Sequence, residues 1–69
     1  MDQIKLREDY IKLGQALKAA GIVGSGADAK SEIQDGYVKV NGIVETQRGK
    51  KLHEGDIVEY NGQEIKIVK

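Results

Sequence analysis

The stretch Gly36-Tyr37-Val38-Lys39-Val40-Asn41-Gly42 constrains this chain more than any other. Gly36 follows a helical pattern, and a residue free to take positive φ ends a helix at low strain. Val38 and Val40 then alternate with Lys39, which gives one apolar face and one basic face. Asn41-Gly42 is the strongest two-residue hairpin signal, because both residues tolerate the left-handed backbone of a type I′ turn. A helical half should therefore close at Gly36 and a strand half should open there.

Before that corner, Gln3-Ile4-Lys5-Leu6-Arg7 alternates polar and apolar residues and predicts a short edge strand with a basic outer row. Asp9 is the expected N-cap of a first helix, whose apolar face carries Tyr10, Leu13, Ala16, Leu17 and Ala20. Lys12 and Lys18 fall off that stripe and should be solvated. Gly21 ends the helix, and Ile22-Val23 form a short apolar link. A second helix starts near Ser25, with Asp28 three residues on in the form of a capping box. Ala29 and Ile33 face inward on it. This helix is short enough to need packing for its existence.

After the corner, Val38–Val40 should pair through Asn41-Gly42 with Ile43-Val44. Residues 46–51 read as a polar loop, with Leu52 anchoring its far end. Glu54-Gly55-Asp56 turns the chain into Ile57–Tyr60, and Asn61-Gly62 makes a second hairpin into Glu64–Val68. There are no prolines, repeats or linkers. The expected fold is α+β: two N-terminal helices packed on a small bent antiparallel sheet, with a short N-terminal edge strand.

At 69 residues this is one domain, near the lower size at which a core supports itself. There is no Cys, no apolar run of membrane-spanning length and no secretory leader, so a cytoplasmic protein without membrane partners is expected. The formal net charge is zero, yet the charges are segregated. Lys39, Arg48, Lys50 and Lys51 lie against Glu45 alone. Glu54, Asp56, Glu59 and Glu64 follow as an acidic block.

Chemistry is sparsely supplied. His53 is the single histidine, and Ser25, Ser31 and Thr46 each have a local role as cap, helix surface or loop. Glu54 and Asp56 read as turn residues and not as cation ligands. No catalytic residue, metal or cofactor is expected. Gly24-Ser25-Gly26-Ala27-Asp28-Ala29 fits the dinucleotide pattern G-x-G-x-x-A, but a helix precedes it where that pattern needs a strand. The exposed amides at this helix start could still meet one phosphate. Lysine and arginine in a glycine-containing loop can reach phosphates, with Lys12, Lys18 and Lys30 extending the patch if the helices pack side by side. With no Phe or Trp and three scattered Tyr residues, a stacking platform for single strands is not expected. Folded RNA, recognised by shape and backbone, suits these residues better.

The order of motifs resembles the ribosomal protein S four RNA-binding domain, or alpha-L motif, especially its small stand-alone bacterial members. Lys12-Leu13-Gly14-Gln15-Ala16-Leu17 corresponds to that family's opening of a basic residue, Leu, Asp, two variable positions and Leu. Ser25-Gly26-Ala27-Asp28-Ala29-Lys30-Ser31-Glu32-Ile33 corresponds to its second helix, and Gly36 to Gly42 matches its Gly-x-Val-x-Val-Asn-Gly run throughout. Gly55-Asp56 matches a later Gly-Asp before a strand. The resemblance covers roughly Tyr10 to Tyr60. Two positions depart from it: Gly14 stands where the family has Asp, and Gly26 where it has Arg.

The resemblance implies a single RNA-binding domain over residues 1–69, with its core at about 10–60. It implies non-catalytic binding of structured RNA, ribosomal or transfer, through a basic face formed by the two helices and the 46–51 loop; a monomer that can associate with the ribosome is expected. The expected contacts are Lys12, Lys18, Ser25, Lys30, Lys39, Arg48, Lys50 and Lys51. They would hold phosphates without reading sequence. A protein–protein adaptor using the acidic Glu54–Glu64 sheet face is the alternative, kept open by the zero net charge.

Overall fold

The computed structural model describes residues 2–69. Its elements run β1 (Asp2–Lys5), β2 (Ile11–Lys12), α1 (Leu13–Ala19), α2 (Gly26–Gln34), β3 (Val38–Val40), β4 (Ile43–Val44), β5 (Lys51–Leu52), β6 (Ile57–Tyr60) and β7 (Gln63–Val68). Five strands form one sheet in the order β1-β7-β6-β3-β4, and β2 pairs antiparallel with β5 in a separate ribbon.

Both helices end as the glycines dictate. Gly21 has φ of 75°, and the Gly21 and Ile22 amides donate to the Lys18 and Leu17 carbonyls. Gly36 has φ of 85°, and the Gly36 and Tyr37 amides donate to Ile33 and Glu32. These are paired Schellman bonds, which satisfy carbonyls that a helix end leaves open. At the start of α2, the Asp28 amide donates to Ser25 Oγ at 3.1 Å.

The start of α1 differs from the expectation. Asp9 does not cap it; Lys12 is the N-cap residue and makes no side-chain cap bond. The Leu13 amide donates to the Lys50 carbonyl at 2.8 Å, and the Gly14 amide to the Arg48 carbonyl at 3.0 Å. Backbone from a distant loop thus satisfies the first-turn donors, and no local polar side chain is needed. Asp9 instead pairs with Lys69 at 3.7 Å, and Tyr10 precedes β2, exposed, off the helix core face.

Both Asn-Gly hairpins form. Asn41 and Gly42 have φ of 52° and 83°, and Asn61 and Gly62 have 50° and 81°. The sheet registers Val40 with Val58 and Val58 with Ile65, so one buried row crosses three strands. Leu13, Ala16 and Leu17 of α1 and Ala29 and Ile33 of α2 cover that face, with Leu52 sealing the β5 side. β1 is an edge strand, as its alternation implies, but it runs parallel to β7, so the sheet is mixed.

Candidate nucleic-acid interface

The candidate site forms where the loop after β4 crosses the starts of both helices. The two backbone bonds from Leu13 and Gly14 hold residues 48–50 against α1. The Gln47 amide donates to Glu45 Oε2 at 3.1 Å and shapes the approach to this loop. From there the Arg48 side chain crosses Gly14, and its Nη1 donates to the Gly26 carbonyl at 3.5 Å. Lys12, Lys18 and Arg48 therefore line one shallow cleft, with Gln15 and three glycines between them. Lys30 is exposed one turn beyond Gly26 on α2, a spacing that shares a helix face.

Lys51 joins the same side by another route. It lies in β5, not in a loop, directly opposite Lys12 of β2. Its Nζ stands 4.9 Å from the Tyr10 ring centroid, a distance at which a ring face attracts a cation. Tyr10 also contacts the His53 ring, 6.2 Å between centroids. Like charges directly opposite on paired strands are unfavourable, so the Lys12–Lys51 pair concentrates positive charge at some cost. Among the described residues the one ion pair is Lys69 with Asp9, so none of these cations has a carboxylate within that distance.

Other expected contacts fall elsewhere. Lys50 contributes its carbonyl to α1 and, together with Lys51, lines a neighbouring cleft with Glu45, His53 and Asp56. Lys39 lies on the outer face of β3, opposite Glu59, in a cleft with Glu32, Tyr37 and Tyr60. The structure does not bring it together with Arg48. Ser25 is exposed beside the cleft, but its oxygen already serves as the α2 cap. The acidic block is likewise divided, with Glu54 in the turn before β6 and Glu59 opposite Glu64 further along.

Sequence reasoning did not reach Gly14, Gln15 and Tyr10 as parts of this surface. Gly14 carries a signal in hindsight, being a glycine inside a helix with no turn to make.

Among the described residues, two groups have displaced pKa values. Partial burial would raise the Asp56 carboxyl. The His53 amide, the Asn41 side chain and the nearby charges of His53 and Lys50 outweigh it and hold the group below the usual range. Burial and the Glu32 carboxylate raise the Tyr60 phenol above its ordinary value. Both groups lie outside the Arg48 cleft.

No helix among the described residues is long and apolar enough to cross a membrane. The S4 domain family matches residues 4–68. The chain is 41% identical over 59 residues to the probable ribosome maturation protein RlbA of Bacillus subtilis, covering 86% of this chain and 83% of the relative. It is 37% identical over 62 residues to YbcJ of Escherichia coli, covering 90% and 89%. The solution structure of YbcJ, described as an alpha-L motif involved in RNA binding, superposes with a TM-score of 0.76 at 36% identity. That superposition takes in 100% of this chain and 89% of the other. With its motif order, its fold and its relatives in agreement, the chain belongs to the S4 domain family and carries the alpha-L motif.

Proposed function

We propose that this protein binds structured RNA, ribosomal or transfer, through the face made by Lys12, Lys18, Lys30, Arg48 and Lys51, and that it carries out no chemistry of its own. One observation carries the reading. Two segments far apart in sequence deliver Lys12, Lys18, Arg48 and Lys51 to one side of the molecule, without a carboxylate at ion-pair distance. Such a cluster gains most from polyanionic phosphate, which releases condensed counterions as it is neutralised. The relatives' names support RNA as the partner, and the RlbA name supports a ribosomal one. Contacts of this kind fix orientation on a folded RNA and leave sequence unread.

The test is binding of transfer and ribosomal RNA by the variant Lys18→Ala/Arg48→Ala/Lys51→Ala. The expected result is weaker binding with a shallower salt dependence; unchanged affinity and slope would remove this face from the site. The adaptor reading retains one observation, that Glu59 faces Glu64 across the strands and shares a cleft with exposed Tyr37. A protein partner that survives nuclease treatment and is lost on changing Glu59 or Glu64 would favour it.

A further inference from the structure

We infer that Gly14 is a positioning residue whose missing side chain seats Arg48 across α1 and aims its guanidinium at the start of α2 as a phosphate ligand. The inference rests on the RNA-binding reading above.

Gly14 is the second residue of α1 and is buried. Its φ is not positive, so the backbone does not require glycine there. Alanine would be the better helix former. Space is what excludes it. A Cβ on Gly14 would stand 2.6 Å from Arg48 Cγ and 3.1 Å from Cδ. The Arg48 backbone cannot retreat freely, because its carbonyl accepts the Gly14 amide at 3.0 Å. The side chain would have to swing away instead.

What the seat achieves is visible at its other end. The guanidinium reaches the Gly26 carbonyl at 3.5 Å, the long limit of a hydrogen bond. It also stands at the amide end of α2, where a helix repels a cation and attracts an anion. Beyond that long bond, no carboxylate among the described residues lies within ion-pair distance of Arg48 to offset the repulsion. A phosphate held by Arg48 and Lys18 would reverse the sign of the local interaction.

The experiment compares Gly14→Ala, Arg48→Ala and the double variant with the wild-type chain. It uses thermal melts, RNA anisotropy across a salt series, and the Arg48 Nε–H and Ala27 amide resonances without RNA, the latter sharing a peptide unit with the Gly26 carbonyl. Gly14→Ala should melt at or above the wild-type temperature, yet bind RNA about 3- to 10-fold more weakly with a salt slope lower by about one. Arg48→Ala should lose as much, and the double variant should lose no more than either. In the absence of RNA, Gly14→Ala should move both resonances. Wild-type affinity in Gly14→Ala, or losses that multiply in the double variant, would overturn the inference. Unmoved resonances would overturn it whether or not the wild-type chain binds RNA. Failure of the wild-type chain to bind RNA would overturn the reading beneath it and the role of Arg48 as a phosphate ligand.

Discussion

At Asn41 the backbone makes the hairpin turn while the side chain ties that hairpin to the next turn. Its Oδ1 accepts the Ile57 amide at 2.9 Å, and its Nδ2 donates to Asp56 Oδ1 at 3.0 Å. Asp56 Oδ2 in turn accepts the His53 amide at 2.7 Å. Glycine would keep the turn and lose the tie. Asn41→Gly should therefore cost about 1–2 kcal/mol of stability at neutral pH, measured by urea denaturation. The pH dependence follows from the lowered Asp56 carboxyl. A depressed carboxylate contributes its full stability above the unfolded value, about 3.9, and loses it as pH falls through the folded value. The difference between Asn41→Gly and the wild-type chain should narrow over that acidic range. The Asn-Gly turn was legible in the sequence from its backbone preference. The Asp56 tie was not, because its partners are 15 residues apart and pair only once the hairpin has folded.

At the scale of elements, local signals were legible where local chemistry decides. Gly21 and Gly36 both end helices in the left-handed region, so Gly36→Ala should cost about 1–2 kcal/mol in a thermal or chemical melt. Ser25→Ala should cost about 1 kcal/mol by leaving the Asp28 amide without its acceptor. Asp9→Ala should be nearly neutral, because Asp9 caps nothing and its pairing with Lys69 is exposed. The start of α1 was misread for a physical reason. Its donors are met by carbonyls of residues 48 and 50, which carry no side-chain signature. The β1–β7 pairing was hidden for a related reason. Alternation in Gln3–Arg7 specifies an edge strand but not its partner, and the partner lies at the other end of the chain, in parallel register.

For the molecule as a whole, zero net charge conceals two different surfaces. Lys12, Lys18, Arg48 and Lys51 gather where β2, α1 and the 48–50 loop meet, whereas Lys39 sits among Glu32, Glu59 and two tyrosines. The candidate cations were legible as residue types, but the separation of Lys39 from the rest was not, because topology decides which lysines share a side. Lys39→Ala should accordingly change RNA affinity less than about 2-fold, while Lys12→Ala/Lys18→Ala/Arg48→Ala should weaken it at least about 10-fold, both read by anisotropy.

The central claim is that this side of the molecule neutralises RNA phosphates, and the most direct measurement is the salt dependence of binding. Labelled transfer RNA or a ribosomal RNA fragment would be titrated with the wild-type chain across a salt series. With Lys12, Lys18, Lys30, Arg48 and Lys51 each meeting a phosphate, log K should fall linearly with log salt at a slope of about −4. A slope near zero, or no binding at low salt, would contradict the account and return attention to the Glu59–Glu64 face.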